Sequence, residues 1–93
     1  MRVPSRQVVR LGEVSYMIQA RLDFSSCRNT FVGYTNADGA YVVKSYKEVV
    51  AYLDTDGVVY YADDVAYASE VERMRQVKQG FKMLAKREVL ASW

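Results

Sequence analysis

Two Asp-Gly pairs, Asp38-Gly39 and Asp56-Gly57, each stand between runs dense in valine and tyrosine, and they constrain this chain more than any other feature. Asp-Gly supplies the positive φ that a tight hairpin loop needs, and β-branched or aromatic side chains pack well on a pleated surface. Residues 40–46, 48–54 and 58–62 are such runs, joined by short loops, so successive strands must pair antiparallel. A hairpin of 49–53 with 58–62 follows, and 28–34 supplies a further strand leading into the first Asp-Gly turn.

The N-terminal third continues the alternation. Over 13–24 the apolar residues Val14, Tyr16, Ile18, Ala20, Leu22 and Phe24 occupy every second position, a period that predicts one long strand. Strands usually run about 5 to 6 residues, so this one should carry a bend or a bulge. A short strand over 6–11 precedes it across Gly12, with Pro4 at its ragged start.

After Ala62 the period changes. Ser69-Glu70-Val71-Glu72 fits a capping box, and Val71, Met74, Val77, Phe81, Leu84 and Ala85 recur at three- and four-residue steps. This predicts an amphipathic helix lying on the apolar face of the sheet. Gly80 falls inside it at a cost of about 1 kcal/mol relative to alanine, which leaves open whether the helix kinks or stops there. The expected fold is α+β, one domain over residues 1–93: an antiparallel meander of four or five strands with one C-terminal helix packed on one face, and Trp93 covering an edge.

Histidine is absent and Cys27 is the sole cysteine, so no disulfide framework, Cys/His zinc site or imidazole base is expected. Asp54-Thr55-Asp56-Gly57 begins like a calcium loop, but Val59 and Val65 stand where such a loop needs glycine and a bidentate glutamate. Asp63 and Asp64 are adjacent, and neighbouring side chains on an extended strand point apart, so they read as solvated loop acids or an early helix cap. Cys27 lacks its usual base and reads as a small half-buried apolar residue. No serine lies in a Gly-x-Ser-x-Gly context, and neither a dinucleotide fingerprint nor a phosphate-binding glycine loop occurs. The expectation is a protein that is not an enzyme, with no catalytic residue, cofactor or metal. No apolar run approaches the roughly 18 residues of a membrane span, and 1–11 lacks a secretory core, so the expected compartment is the cytoplasm.

Binding is the remaining class. Charge is distributed unevenly: residues 1–33 carry five arginines against two acids, 34–72 two lysines against eight acids, and 73–93 six basic side chains against Glu88. Eight tyrosines crowd a small chain, and a pair such as Tyr60 and Tyr61 must project to opposite sides of a strand, so some are exposed. Exposed tyrosine gives a rigid contact surface with a polar tip. Tyr52 and Tyr61, with Asp54, Asp56, Asp63 and Asp64 as a negative rim, form the candidate surface for a protein or ribonucleoprotein partner, whose basic groove such a rim would engage. The alternative is nucleic-acid binding or transcription modulation through a basic helix stripe of Arg75, Lys78, Lys82 and Lys86. A homodimer through sheet edges or through helices suits so small a core, and the sequence does not choose between them.

Residues 45–61, with Ser45-Tyr46, Val50-Ala51, Asp56-Gly57 and Tyr60-Tyr61 in that order, followed by Tyr67-Ala68-Ser69, resemble a domain of small uncharacterised bacteriophage proteins. The resemblance covers about a quarter of the chain and departs at 68–73, where the family's Thr-Thr-Ser-Lys-His type of ending is replaced by Ala68-Ser69-Glu70-Val71-Glu72-Arg73. It implies a viral or mobile-element origin and carries over no catalytic residue. Joined to the binding surface, it leads to the expectation of a phage-type protein that occludes a host macromolecule, such as a nucleic-acid-targeting CRISPR defence complex, inside a bacterial host.

Overall fold

The two Asp-Gly turns are the same turn built twice. Asn36 Oδ1 accepts the backbone N–H of Asp38 at 2.9 Å and of Ala40 at 3.0 Å, and Asp54 Oδ1 accepts those of Asp56 at 2.9 Å and Val58 at 3.0 Å. Gly39 and Gly57 then close each loop at φ 87°, a conformation glycine adopts without steric cost. The structure, a computed structural model, describes residues 7–62 and 68–91. Pro4, Asp63, Asp64, Tyr67 and Trp93 lie outside the described residues, as do the side chains of Ser69 and Glu70.

These hairpins sit within a mixed sheet of seven strands arranged in chain order. Strands β1 (Gln7–Val8) and β2 (Phe24–Ser26) are parallel. From β2 the chain runs antiparallel through β3 (Phe31–Thr35), β4 (Tyr41–Ser45), β5 (Glu48–Leu53) and β6 (Val58–Ala62). Strand β7 (Arg87–Ala91) then pairs parallel with β6. A parallel pair needs a crossover, and helices supply both: α1 (Val14–Gln19), entered through a 3-10 turn at Leu11–Glu13, and α2 (Ala68–Phe81). Four antiparallel steps leave β6 pointing the same way as β2. Two right-handed crossovers of the same direction must therefore land on the same face, and α1 and α2 pack against each other there.

The core is the layer between that helix pair and the sheet. Val14, Met17 and Ile18 of α1 and Met74, Val77 and Phe81 of α2 meet Phe24, Phe31, Tyr41, Val43, Ala51, Leu53, Val59 and Tyr61, all buried. Each such side chain, where fully buried, contributes about 1.5–3 kcal/mol through removal from water. Between Val43 and Lys44 the β4–β5 register shifts, leaving Val50 as an extra residue that still joins the core.

Three expectations change. The long strand over 13–24 is instead α1 followed by β2: Val14, Met17 and Ile18 are buried at helical spacing, while Tyr16 and Leu22, on the supposed strand face, are 66% and 44% exposed. The antiparallel meander exists as β2 to β6, but a parallel strand at each end makes the sheet mixed and seven-stranded, and a second helix joins the C-terminal one. Finally, α2 ends at Phe81, and Leu84 and Ala85 belong to the turn that leads into β7. Val71, placed on the apolar stripe by its spacing, is 63% exposed, and Arg73 and Gln76 are buried in its stead.

Candidate interaction surface

With both helices on one side, the other face of the sheet carries the alternate residues of every strand. The register lines up Tyr34 with Val42, Val42 with Tyr52, Tyr52 with Tyr60, and Tyr60 with Val89, a single cross-strand row through five strands. Tyr52 and Tyr60 stack with ring centroids 4.7 Å apart and planes 22° from parallel. Flanked by Tyr34 and Tyr52, Val42 is only 7% exposed. A second row sets Val32 beside Lys44 and Lys44 beside Val49, and the Lys44 ammonium lies 5.5 Å from the Tyr34 ring centroid. A hollow of about 410 Å³ opens on this face, lined by Asn36, Asp38, Ala40, Val42, Val49 and Tyr52.

Acids gather along one side of the rows, where the turns join the strand ends. The two Asx turns abut, Thr55 Cγ2 lying 3.3 Å from where a Cβ on Gly39 would be. Asp38 and Asp56 are exposed at their tips, whereas Asp54 is partly buried because its carboxylate holds the turn. The Tyr60 phenol is hydrogen-bonded to the same Asp54 carboxylate, and its pKa is raised by desolvation first and by the Asp54 charge next. Of the residues singled out from sequence, Tyr52, Asp54 and Asp56 are thus brought together, and Tyr60, Tyr34, Val42 and Val49 join them. Tyr34, Val42 and Tyr60 were legible as the positions alternating with Phe31, Tyr41, Val43 and Tyr61, once the covered face is known, whereas Val49 has the parity of inward-facing Ala51 and reaches this face only through the extra residue Val50.

Tyr61 belongs elsewhere. It faces the helices at 4% exposure, edge-on to Phe81, and its hydroxyl donates to Glu88 Oε1 at 3.0 Å. Burial and this bond to a carboxylate push its pKa well above the ordinary phenol value. As a core residue it is not an exposed anchor.

The basic stripe is also divided. Arg75 and Lys78 are on α2, Lys82 is in the turn after it, and Lys86 precedes β7, where its backbone N–H donates to Gly57 O at 2.8 Å. Arg75 is held in a fork by Glu72, at 2.7 and 3.0 Å, which lowers the Glu72 pKa. Lys78 lies 5.8 Å from the Tyr61 ring centroid. All four side chains are exposed, but they do not form one helical stripe.

A different cation is buried. Arg73, 5% exposed, donates to Ser45 Oγ at 2.8 Å and to Thr30 Oγ1 at 3.0 Å, with its guanidinium 4.6 Å from the Tyr46 ring centroid. It secures two backbone segments of positive φ, Cys27-Arg28-Asn29 and Tyr46-Lys47, whose strands it spans. Its helical spacing with Gln76, Val77 and Gly80 marks it as inward-facing. Cys27 sits in the first of these segments, partly exposed, with Sγ 3.8 Å from Ser26 Oγ. Among the described residues no group of three or more Cys, Asp or Glu is placed to hold a metal, and no helix is long and apolar enough to cross a membrane. No protein-family model, curated protein or solved structure matches the chain.

Proposed function

We propose that this chain is a non-enzymatic binding protein that covers a surface of another macromolecule with the open face of its sheet. The observation that carries this reading is the row Tyr34, Val42, Tyr52, Tyr60, bordered along one side by Asp38 and Asp56. An aromatic and aliphatic centre with a charged rim is the anatomy of a protein interface, where tyrosine anchors supply affinity and charge steers approach. The acidic rim selects a partner with basic surface around an apolar patch, as a protein that grips nucleic acid has. With the viral or mobile-element origin implied by residues 45–61, the partner is a host protein or ribonucleoprotein complex, such as a nucleic-acid-targeting defence effector, met in the cytoplasm of a bacterial host.

The test is affinity capture from lysate of a bacterial host with three proteins in parallel: the wild type, Tyr52→Ser with Tyr60→Ser, and the helix-side control Arg75→Ser. The reading expects a partner retained by the wild type and the control and lost with the tyrosine pair. Capture that is indifferent to Tyr52 and Tyr60 would overturn it.

Nucleic-acid binding is the second reading, favoured by one observation: Lys78 and Lys82 line the same groove on the helix side. Its test is titration of random DNA and RNA against salt. Binding that weakens steeply with salt and disappears when Arg75, Lys78, Lys82 and Lys86 are neutralised would favour it over the protein partner.

A further inference from the structure

The sheet ends on β7, and among the described residues no strand lies against its outer edge. The opposite edge, β1, is two residues long, whereas β7 offers five. A groove of about 640 Å³ runs above β7 on the helix side, with Lys78, Gln79 and Lys82 along one wall and Tyr61, Glu88 and Leu90 at its base. Leu90 is 70% exposed there. Two ammonium groups thus overlook a single carboxylate, and Glu88 already accepts the Tyr61 hydroxyl. An edge of this kind, unpaired, unbulged and carrying an exposed leucine, is a template for another strand.

We propose that β7 pairs antiparallel with β7 of a second copy, giving a two-fold dimer with one sheet continuous through both molecules. Antiparallel pairing of a strand with its own copy is the isologous arrangement, in which one surface is complementary to itself. Centred on Val89, it sets Glu88 opposite Leu90 of the second copy and Arg87 opposite Ala91, so no like charges face each other. The two-fold axis stands normal to the sheet, which keeps α2 of both copies on the same side. Each incoming strand then covers the exposed Leu90 and brings its Glu88 toward Lys78 and Lys82, offsetting the excess of positive charge in the groove. A foreign acidic peptide could add to the same edge, but this chain itself supplies a strand of the right length with its acid on the right side. The dimer leaves the tyrosine rows open and does not rest on the role given to them.

The experiment is sedimentation equilibrium of the wild-type protein from low micromolar to several hundred micromolar, beside Leu90→Lys and Glu88→Lys, each checked for folding by circular dichroism. The wild type is expected to approach twice the monomer mass, and each variant to raise the dimer Kd at least tenfold. Leu90 is exposed, so its variant has no reason to unfold. In a Cys27→Ser background, Val89→Cys is expected to form a disulfide between copies on oxidation, since directly opposed strand positions fall within disulfide reach, and Arg87→Cys is not. A wild type that stays monomeric throughout overturns the proposal. So does a dimer that ignores both edge variants or is cross-linked at position 87 but not at 89.

Discussion

A Cβ on Gly80 would lie 2.6 Å from the Ile18 Cβ, so α1 and α2 touch at a point where only glycine fits. Ser15 O, a backbone atom, would be 2.9 Å from the same Cβ and cannot swing aside. Alanine gains about 1 kcal/mol in helix propensity, but forcing a methyl into a packed contact costs about 1–3 kcal/mol. Gly80→Ala should therefore lower stability by about 1 kcal/mol net, a fall of about 4–8 °C in Tm for a domain of this size. Thermal melting checks it, and a Tm that rises would mean that the helices are not in contact here.

Arg73 ties α2 to the ends of β3 and β4 through Ser45 Oγ and Thr30 Oγ1. Arg73→Met preserves the apolar stem and removes the hydrogen bonds from a charged donor, at about 1.5–3 kcal/mol. Arg73→Lys should recover less than half, because a single ammonium nitrogen lacks the planar fork whose two nitrogens reach Ser45 and Thr30 while its face lies on the Tyr46 ring. Urea unfolding midpoints give the comparison.

Asn36 and Asp54 each satisfy two backbone N–H groups in their turns. Replacing either by alanine should cost about 1 kcal/mol, the usual worth of such bonds. Asp54→Asn should cost less, since the amide oxygen accepts equally well. In thermal melts Asp54→Ala should lose at least as much as Asn36→Ala, since it removes the same two turn bonds and the bond to the Tyr60 phenol as well.

Tyr41 and Tyr61 resist ionisation in the folded protein. Burial is the larger cause for both, followed by the Asp23 charge for Tyr41 and the bond to Glu88 for Tyr61. The Tyr41 hydroxyl also donates to Leu22 O at 2.6 Å. Their folded pKa values are raised, so above the unfolded value of about 10 the unfolded chain holds fewer protons than the folded one, and stability falls as pH rises. Phenolate absorbance should climb in two stages, the later one coinciding with loss of circular dichroism. Tyr41→Phe should shrink that later stage. A single early stage with the fold intact would show these phenols to be accessible.

Much of the candidate surface was legible because hairpins are local. Asn36-Ala37-Asp38-Gly39 and Asp54-Thr55-Asp56-Gly57 specify their turns within a few residues, and the valine and tyrosine alternation then sets β4, β5 and β6 in register. Tyr61 was misplaced because alternation shows that Tyr60 and Tyr61 face opposite ways without showing which face is covered. The coverage follows from two crossovers, and α1 was hidden: over 14–19 the same apolar residues satisfy a period of two and, through Met17, a period of 3.6.

By itself the amino-acid order determined the turns, the antiparallel centre of the sheet and the Met74, Val77 and Phe81 stripe of α2, all set by neighbours a few positions apart. Tertiary structure alone decided that 14–19 is a helix, that 87–91 is a strand and that both helices cover the face opposite the tyrosine rows. A six-residue helix is too short to persist unaided; it exists because Gly80 admits Ile18 and the Gln76 side chain accepts the Ser15 N–H at 3.2 Å, contacts made across more than sixty residues of chain.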